Sequence, residues 1–403
     1  MSTAKRSYPP LAIHGGRPVR AKFLPYGRQM VEEEDIAAVV DVLRSDWLTT
    51  GPKVKEFEEA LASSVGARYG VVFSSGTAAL HAAAYAAGLG PGDEAITTSL
   101  TFAATANCVL YNCAIPIFAD VCSDTLNIDP EQVRQLISAK TKAIFPVDYA
   151  GHPADMAALM DIASERGLIV IEDAAHSLGA VYNHRPVGSL AHMTMFSFHP
   201  VKHITTGEGG MVVTNHEEFA HRLRLFRSHG IDSDALERRI AGQWYYEMID
   251  LGYNYRLPDI NCALGLSQLR RLDENLARRR EVATRYDKAF RENDSILTPR
   301  VRPLIEPAWH LYPVRVAEGL SRAEVFRALR AENVGVNVHY IPVHLHPYYR
   351  RRFGYQNGTC PVAEKAYSQL ISLPMFHAMS DADVNDVIEA VDKVTEGLRA
   401  NAN

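Results

Sequence analysis

Between residues 70 and 215, short apolar runs alternate with stretches of helical spacing. The runs fall at 70–74, 94–98, 115–121, 142–147, 168–174, 193–198 and 209–215. Each is short, rich in Val, Ile and Phe, and apolar at successive positions, as expected of strands buried on both faces. Segments such as TAALHAAAYAAGL (77–89) between them carry helical periodicity. The alternation predicts a large α/β domain with a mostly parallel sheet covered by helices on both sides. Ligands of such sheets bind beyond the carboxyl ends of the strands, so the residues just after each run become the candidates for chemistry.

From about residue 258 the rhythm changes. A long helical pattern runs from Asp259 to about Asn293, followed by a strand at 311–316 and a helix from Ser321. A further strand is predicted at 334–344 and a closing helix from Ser380. The organisation expected is an N-terminal arm (1–25), a large domain (26–258) and a smaller C-terminal α+β domain (259–403). Composition narrows the function classes. Hydrophobic residues at 47% and charged residues at 22% are ordinary for a globular chain. With 42 Lys and Arg against 47 Asp and Glu, neither a nucleic-acid nor an anionic-membrane partner is expected. The basic stretch around Arg270–Arg280 is interrupted by Asp273 and Glu274 and predicts a solvated helix face. Five cysteines without a C-x-x-C pair argue against a disulfide framework or a zinc site. His344 and His346 lack a third ligand in the sequence, so no metal is expected there. The first residues carry Pro and charge where a signal peptide needs an apolar core, and no apolar run is long enough to cross a bilayer. A cytoplasmic protein is the expectation.

Three segments carry candidate chemistry. Ser74-Ser75-Gly76-Thr77 follows a strand and opens a helix, whose free N–H groups suit a phosphate; taken alone, the tetrapeptide is better explained as a simple Ser/Thr N-cap. Glu172-Asp173-Ala174-Ala175-His176 ends an apolar strand, where a carboxylate needs a cationic partner. A protonated pyridine nitrogen would serve, and so would a nearby Arg; His176 could bond a ring oxygen or be packed. In Phe196–Gly210 a lysine, Lys202, stands five residues after Ser197 and before a Gly-rich turn and another strand. Such a lysine, partly desolvated, can be neutral and nucleophilic; the alternative is a structural role. The order turn, acid about 97 residues later, lysine about 29 further on is that of type I pyridoxal-phosphate enzymes.

The chain resembles the DegT/DnrJ/EryC1/StrS family of nucleotide-sugar aminotransferases over nearly its whole length. The similarity lies in 24–62 (LPYGRQMVEEEDIAAVVDVLRSDWLTTGPKVKEFEEALA), TFAATAN (101–107), GYNYRLPDINCALGLSQL (252–269) and the Lys202 segment. SDWLTTGP, FSFHPVKHITTGEGG, VNVHYIPVHLHPYYRRRFG (336–354) and His176, where many relatives have Gln, are most similar to its PseC-type branch. That branch aminates C4 of a UDP-linked 4-keto-6-deoxy-N-acetylhexosamine on the route to pseudaminic acid. His203 stands where PseC-type sequences often have Pro.

The resemblance implies a type I pyridoxal-phosphate-dependent aminotransferase fold, pyridoxal 5'-phosphate as cofactor, and a role for each matching residue. Lys202 would carry the cofactor as a Schiff base and shuttle the proton. Asp173 would pair with the pyridine nitrogen, with His176 near the ring oxygen and Phe102 stacked on the ring. Ser75, Gly76, Thr77 and Ser197 would hold the phosphate. Asn254 would reach the cofactor phosphate of a neighbouring subunit, making a homodimer with shared sites the smallest functional unit. Tyr26, the loop Asp46, Trp47, Leu48 and Thr49, and the run His339, Tyr340, Ile341 and Pro342 would frame the sugar. Glutamate would be the amino donor. A sister aminotransferase for another UDP- or GDP-linked 4-keto-6-deoxy sugar fits the same motifs. A sugar 3-dehydratase, which replaces the lysine with histidine, and a non-catalytic relative fit them less well. Trp244, Tyr245 and Tyr246 are expected at a subunit interface or loop.

Overall fold

The computed structural model describes residues 9–233 and 235–402. Seven strands form the central sheet: β1 Tyr69–Phe73, β2 Glu94–Thr98, β3 Ile115–Ala119, β4 Thr141–Phe145, β5 Ile169–Asp173, β6 Met193–Ser197 and β7 Gly210–Thr214. Their order is β1-β7-β6-β5-β4-β2-β3. β7 runs antiparallel to both β1 and β6, while β6, β5, β4, β2 and β3 are parallel to one another. The apolar runs are explained by burial on both faces. Along β1, Val72 joins a core with Phe57, Ile96, Ile144 and Phe196, whereas Val71 and Phe73 face a second core with Phe145, Ile171 and Met195. Alternate side chains of a strand point to opposite faces, so a sheet sandwiched between helices needs apolar residues at every position.

The topology brings several strand ends to one edge. Gly210 at the start of β7 pairs with both Phe73 at the end of β1 and Ser197 at the end of β6. Asp173 ends β5 two strands from β7. The close approach requires glycine: a Cβ on Gly210 would stand 2.8 Å from Gly76 Cα.

A second sheet in the C-terminal part of the chain, antiparallel and ordered β8-β9-β10, consists of β8 Ile296–Leu297, β9 Tyr312–Val316 and β10 Leu370–Leu373. Helices Leu272–Phe290, Arg322–Ala331 and Asp381–Ala402 pack around it over Tyr286, Phe290, Leu329, Val387 and Val391. Leu11 and Leu24 belong to this core, and Glu332 accepts the backbone N–H groups of Ala12 and Val19. The described N-terminal stretch is thereby sewn onto this core; residues 1–8 lie outside the described residues.

Two expectations are corrected. The helical pattern from Asp259 is two helices, Asp259–Leu269 and Leu272–Phe290, interrupted at Arg270-Arg271. Arg271 leaves helical geometry to pair with Asp35 and Glu32 of another helical segment, a tertiary demand invisible to periodicity. The run 334–344 forms no continuous strand: it makes single bridges, Leu24 with Val334 and Asn337 with Ser372, and ends in a short 3-10 turn at Val343–Leu345. Val334 and Val336 pack into the core around β9 and β10, and Val343 into a separate cluster with Leu100 and Phe118, while the backbone pairs only at these two bridges.

Candidate active site

The site is assembled where the strand ends meet. Ser75 caps the helix Gly76–Ala86, its Oγ accepting the N–H of Ala78 at 3.1 Å. The cap satisfies one orphan donor, and Ala79 N–H bonds to the Ser75 carbonyl. The N–H groups of Gly76 and Thr77 have no partner one turn earlier and remain free for an anion. Ser197, at the end of β6, lies against them: a Cβ on Gly76 would come within 3.2 Å of its Oγ. The sequence left open whether this was a cap or an anion cradle. It is a cap, and the first two N–H groups of its helix lie beside Ser197.

Asp173 is buried at the end of β5. Its Oδ2 accepts the Thr105 hydroxyl at 2.7 Å and its Oδ1 the Ala175 N–H at 3.2 Å. Burial pushes the carboxyl above its ordinary range, while the Thr105 and Ala175 bonds and the positive charge of Lys202 pull it back. No arginine pairs with it among the described residues, so the salt-bridge reading of this acid is not what the structure contains. Lys202, in the turn after β6, reaches His310 Nε2 with its Nζ at 3.3 Å. Burial lowers its ammonium to about 8, with Asp173 acting in the opposite sense and Arg279 adding to the depression. The lysine is therefore poised to lose its proton near neutrality.

A ring of aromatic and imidazole side chains closes the site. His176 Nε2 and Tyr340 Oη are 3.0 Å apart, and the His176 and His310 rings lie 4.5 Å apart. Burial holds His176, His203 and His310 well below the usual histidine range, so all three are neutral. His339 is lowered to about 4, again by burial first, and its Nδ1 meets Ser372 Oγ at 2.9 Å. Tyr149 donates its hydroxyl to the His339 carbonyl, and Tyr26 sets its ring 5.3 Å from His339. Phe102 is 61% exposed, with the Tyr340 ring 6.2 Å away. A large ring left this bare at the mouth of a polar site suits a flat partner.

The structure thus gathers Lys202, Asp173, His176, Phe102, Tyr340, His339 and Tyr26 in one neighbourhood, with Ser75, Gly76, Thr77 and Ser197 grouped at the helix start. Ile341 is exposed and Pro342 precedes the 3-10 turn. Other expected residues make different contacts. Trp47 lies under the Arg239 guanidinium at 4.4 Å, and the Leu48 carbonyl accepts the Asp259 N–H. Asp46, Leu48 and Thr49 are exposed, as is Asn254, whose backbone bridges Ser228. The hydrogen bonds and ring contacts of the described residues do not join this loop or Asn254 to the Lys202 cluster. Trp244, Tyr245 and Tyr246 are exposed too. His344 bonds Glu364 at 2.9 Å, a pairing that accounts for its place in the fold.

Sequence reasoning missed Thr105, His310 and Arg279. Thr105 sits one helical turn from Thr101, and the two hydroxyls lie 2.8 Å apart. That spacing within TFAATAN was the available signal. For His310 and Arg279 no spacing gave a hint, because they reach the site from the C-terminal part of the chain.

The family model described as the DegT/DnrJ/EryC1/StrS aminotransferase family matches residues 29–392. The chain belongs to that family. Spore coat polysaccharide biosynthesis protein SpsC of Bacillus subtilis is 45% identical over 383 residues, covering 94% of this chain and 98% of SpsC. Helicobacter pylori PseC, an aminotransferase of pseudaminic acid biosynthesis, superposes with a TM-score of 0.87 at 34% identity, covering 93% of this chain and 100% of its own. Spr1654 of Streptococcus pneumoniae, solved in a PLP form, gives a TM-score of 0.87 at 32% identity over 93% of this chain and 99% of its own. The fold is that of the pyridoxal-phosphate-dependent aminotransferases, and the chain is a sugar aminotransferase that uses pyridoxal phosphate.

The residues present fit that cofactor. Two N–H groups at the helix start lie beside Ser197, Asp173 is a buried acid with no cationic partner but Lys202 among the described residues, and Phe102 offers a bare ring. A pH dependence follows. The folded-state lysine loses its proton at about 8, below the ordinary lysine value, so the reactive neutral amine is present above that pH. Cofactor capture by the cofactor-free protein should level off above about pH 9, fall to about half at pH 8 and slow about tenfold for each unit below about pH 7. Stopped-flow absorbance across pH 6 to 10 checks this; a rate still climbing above pH 9 would mean that the lysine is solvated.

Proposed function

We propose that the chain transfers an amino group from glutamate to C4 of a UDP-linked 4-keto-6-deoxy-N-acetylhexosamine, in the cytoplasm, as a homodimer with shared sites. The observation that carries the reading is buried Lys202, 3.3 Å from neutral His310 and within electrostatic reach of Asp173, near the ends of β5 and β6 and the start of the helix Gly76–Ala86. When bound, pyridoxal phosphate supplies an electron sink for the carbon that loses its proton. The chain supplies position and proton transfer. Gly76, Thr77 and Ser197 would hold the cofactor's phosphate and Phe102 would cover its ring. Asp173, buried and oriented by Thr105, would keep the ring nitrogen protonated. His176, fixed by Tyr340, would stand near the ring oxygen. Lys202 Nζ, neutral near pH 8, takes a proton from the α-carbon of glutamate. In the second half-reaction it delivers one to C4 of the sugar. Tyr26, His339, Tyr340 and the loop 46–49 frame the sugar, and the buried imidazoles keep that wall uncharged.

Resemblance to PseC in His176 and in 336–354 supports the sugar chosen. The 45% identity with SpsC favours a second reading, another UDP- or GDP-linked 4-keto-6-deoxy sugar bound for a polysaccharide. Sugar stereochemistry is read by a few loop contacts, so one experiment separates the two. The enzyme is incubated with glutamate and a panel of UDP- and GDP-linked 4-keto-6-deoxy sugars, and the aminated product is identified by mass and NMR. Amination of the N-acetylated UDP sugar above the rest supports the first reading; preference for another sugar selects the second.

The exposed Asn254 and the exposed apolar side chains of Trp244, Met248 and Leu251 support the shared dimeric site. Lys202→Ala and Asn254→Ala proteins should each be nearly inactive, and mixing them should restore up to about a quarter of the activity through hybrid dimers with one intact site. No recovery, once subunit exchange has been demonstrated, would place Asn254 outside the neighbour's site.

A further inference from the structure

The catalytic lysine is contacted by a residue of the segment leading into the second sheet. His310 immediately precedes Leu311 and β9, and its Nε2 lies 3.3 Å from Lys202 Nζ. The backbone that presents it is held from two sides. From the side of the central sheet, the Gly151 carbonyl accepts the Ala308 N–H and the Ala150 carbonyl accepts the Leu311 N–H. Gly151 has a φ of 98°, and a Cβ there would stand 2.7 Å from Trp309 N and 2.8 Å from the His176 carbonyl. From the C-terminal part, Arg279 on the helix Leu272–Phe290 donates through Nη1 to the carbonyls of Trp309, His310 and Met375, at 3.1, 3.3 and 3.0 Å. Trp309 between them adopts a φ of 50°, a region that bulky residues rarely occupy unless their surroundings impose it.

Arg279 is an unusual clamp. It is fully buried, and no carboxylate pairs with it among the described residues. Its Nε and Nη2 have no hydrogen-bond partner there either. An uncompensated buried guanidinium is expensive, and three carbonyls repay only part of that penalty. A well-packed apolar side chain would be the cheaper way to fill the space, so the charge itself asks for a reason. The groups around Lys202 supply one. It is faced by Asp173 from the end of β5, His176 from the turn after it, His203 from its own turn, His339 from the 334–344 run and His310. The four imidazoles are held neutral by burial, whereas Asp173 favours a charged lysine. Arg279 is the opposing charge.

We propose that Arg279 is a positioning residue for Lys202: it locks the 308–311 segment so that His310 aims the lysine amine. The inference rests on the aminotransferase reading, in which Lys202 must be neutral and aimed whenever it is free. It makes the lysine's readiness depend on correct docking of the C-terminal part.

The test uses the cofactor-free protein and no sugar. Trace acetylation with acetic anhydride across pH, read by mass spectrometry at the Lys202 peptide, gives the midpoint for loss of the lysine proton. The wild type should give a midpoint near 8. Arg279→Met, which unlocks the segment and lets the amine leave its buried place, should raise it by about one unit, whereas Arg279→Lys, which keeps a cationic donor for the carbonyls, should leave it within about 0.3. The limiting high-pH rate of pyridoxal phosphate capture reads the aim: His310→Leu should lower it about tenfold, and His310→Gln, which keeps a polar group in reach, by less than about threefold. Should Arg279→Met fail to fold, the His310 pair and Arg279→Lys still decide. A midpoint that stays near 8 in Arg279→Met, or an unchanged limiting rate in His310→Leu, overturns the proposal. If the midpoints and rates move as expected but no sugar in the panel is aminated, the functional reading alone has failed.

Discussion

Lys202→Ala should lose transamination by on the order of 10⁴ or more, the upper end for a positioned proton-transfer group. Two functions disappear with one side chain. In the proposed reading the chain would lose its attachment point for the cofactor and the base that moves the proton. The variant should nevertheless fold, because the amine contributes only one side-chain hydrogen bond, to His310. Pyridoxal phosphate should still be retained by the phosphate donors at the helix start, although without a covalent link. The half-reaction with glutamate, followed by absorbance, measures the loss. A residual rate within about a hundredfold of wild type would show that another group moves the proton.

Asp173→Asn is the second large effect, on the order of 10² to 10⁴ in the proton-transfer steps. The substitution keeps shape but removes charge. Asp173 is buried, receives the Thr105 hydroxyl and the Ala175 N–H, and has only Lys202 as a nearby cation. In the proposed reading that carboxylate would hold the cofactor's ring nitrogen protonated; an amide would have no charge to keep the proton there. Electron withdrawal from the reacting carbon falls accordingly. Cofactor should still bind, since Lys202 and the helix start are untouched. Near-normal single-turnover rates with glutamate would mean that the acid is structural.

The outline of the central sheet was legible because burial on both sheet faces writes continuous apolar runs into the chain. All seven central strands fall within a residue or two of those runs. The antiparallel course of β7 was not legible, since a run of residues carries no direction. The C-terminal part was harder. Arg271 breaks a helical pattern to satisfy Asp35, and 334–344 looks strand-like although its backbone pairs only at single bridges. Of the site, Ser75, Asp173, Ser197 and Lys202 stood out because they follow strands at one edge. Thr105, His310 and Arg279 did not, because they act by reaching other side chains or carbonyls across space. Of the two readings of Ser75, the structure shows the cap: its Oγ accepts the Ala78 N–H.

The central claim is that Lys202, seated at the meeting of β5, β6 and the helix Gly76–Ala86, is the residue that carries the cofactor. Borohydride reduction of the pyridoxal-phosphate-loaded enzyme, followed by proteolysis and mass spectrometry, tests it most directly. A single pyridoxyl adduct on the peptide containing Lys202 is the predicted result; an adduct at any other lysine, or none, would contradict the account.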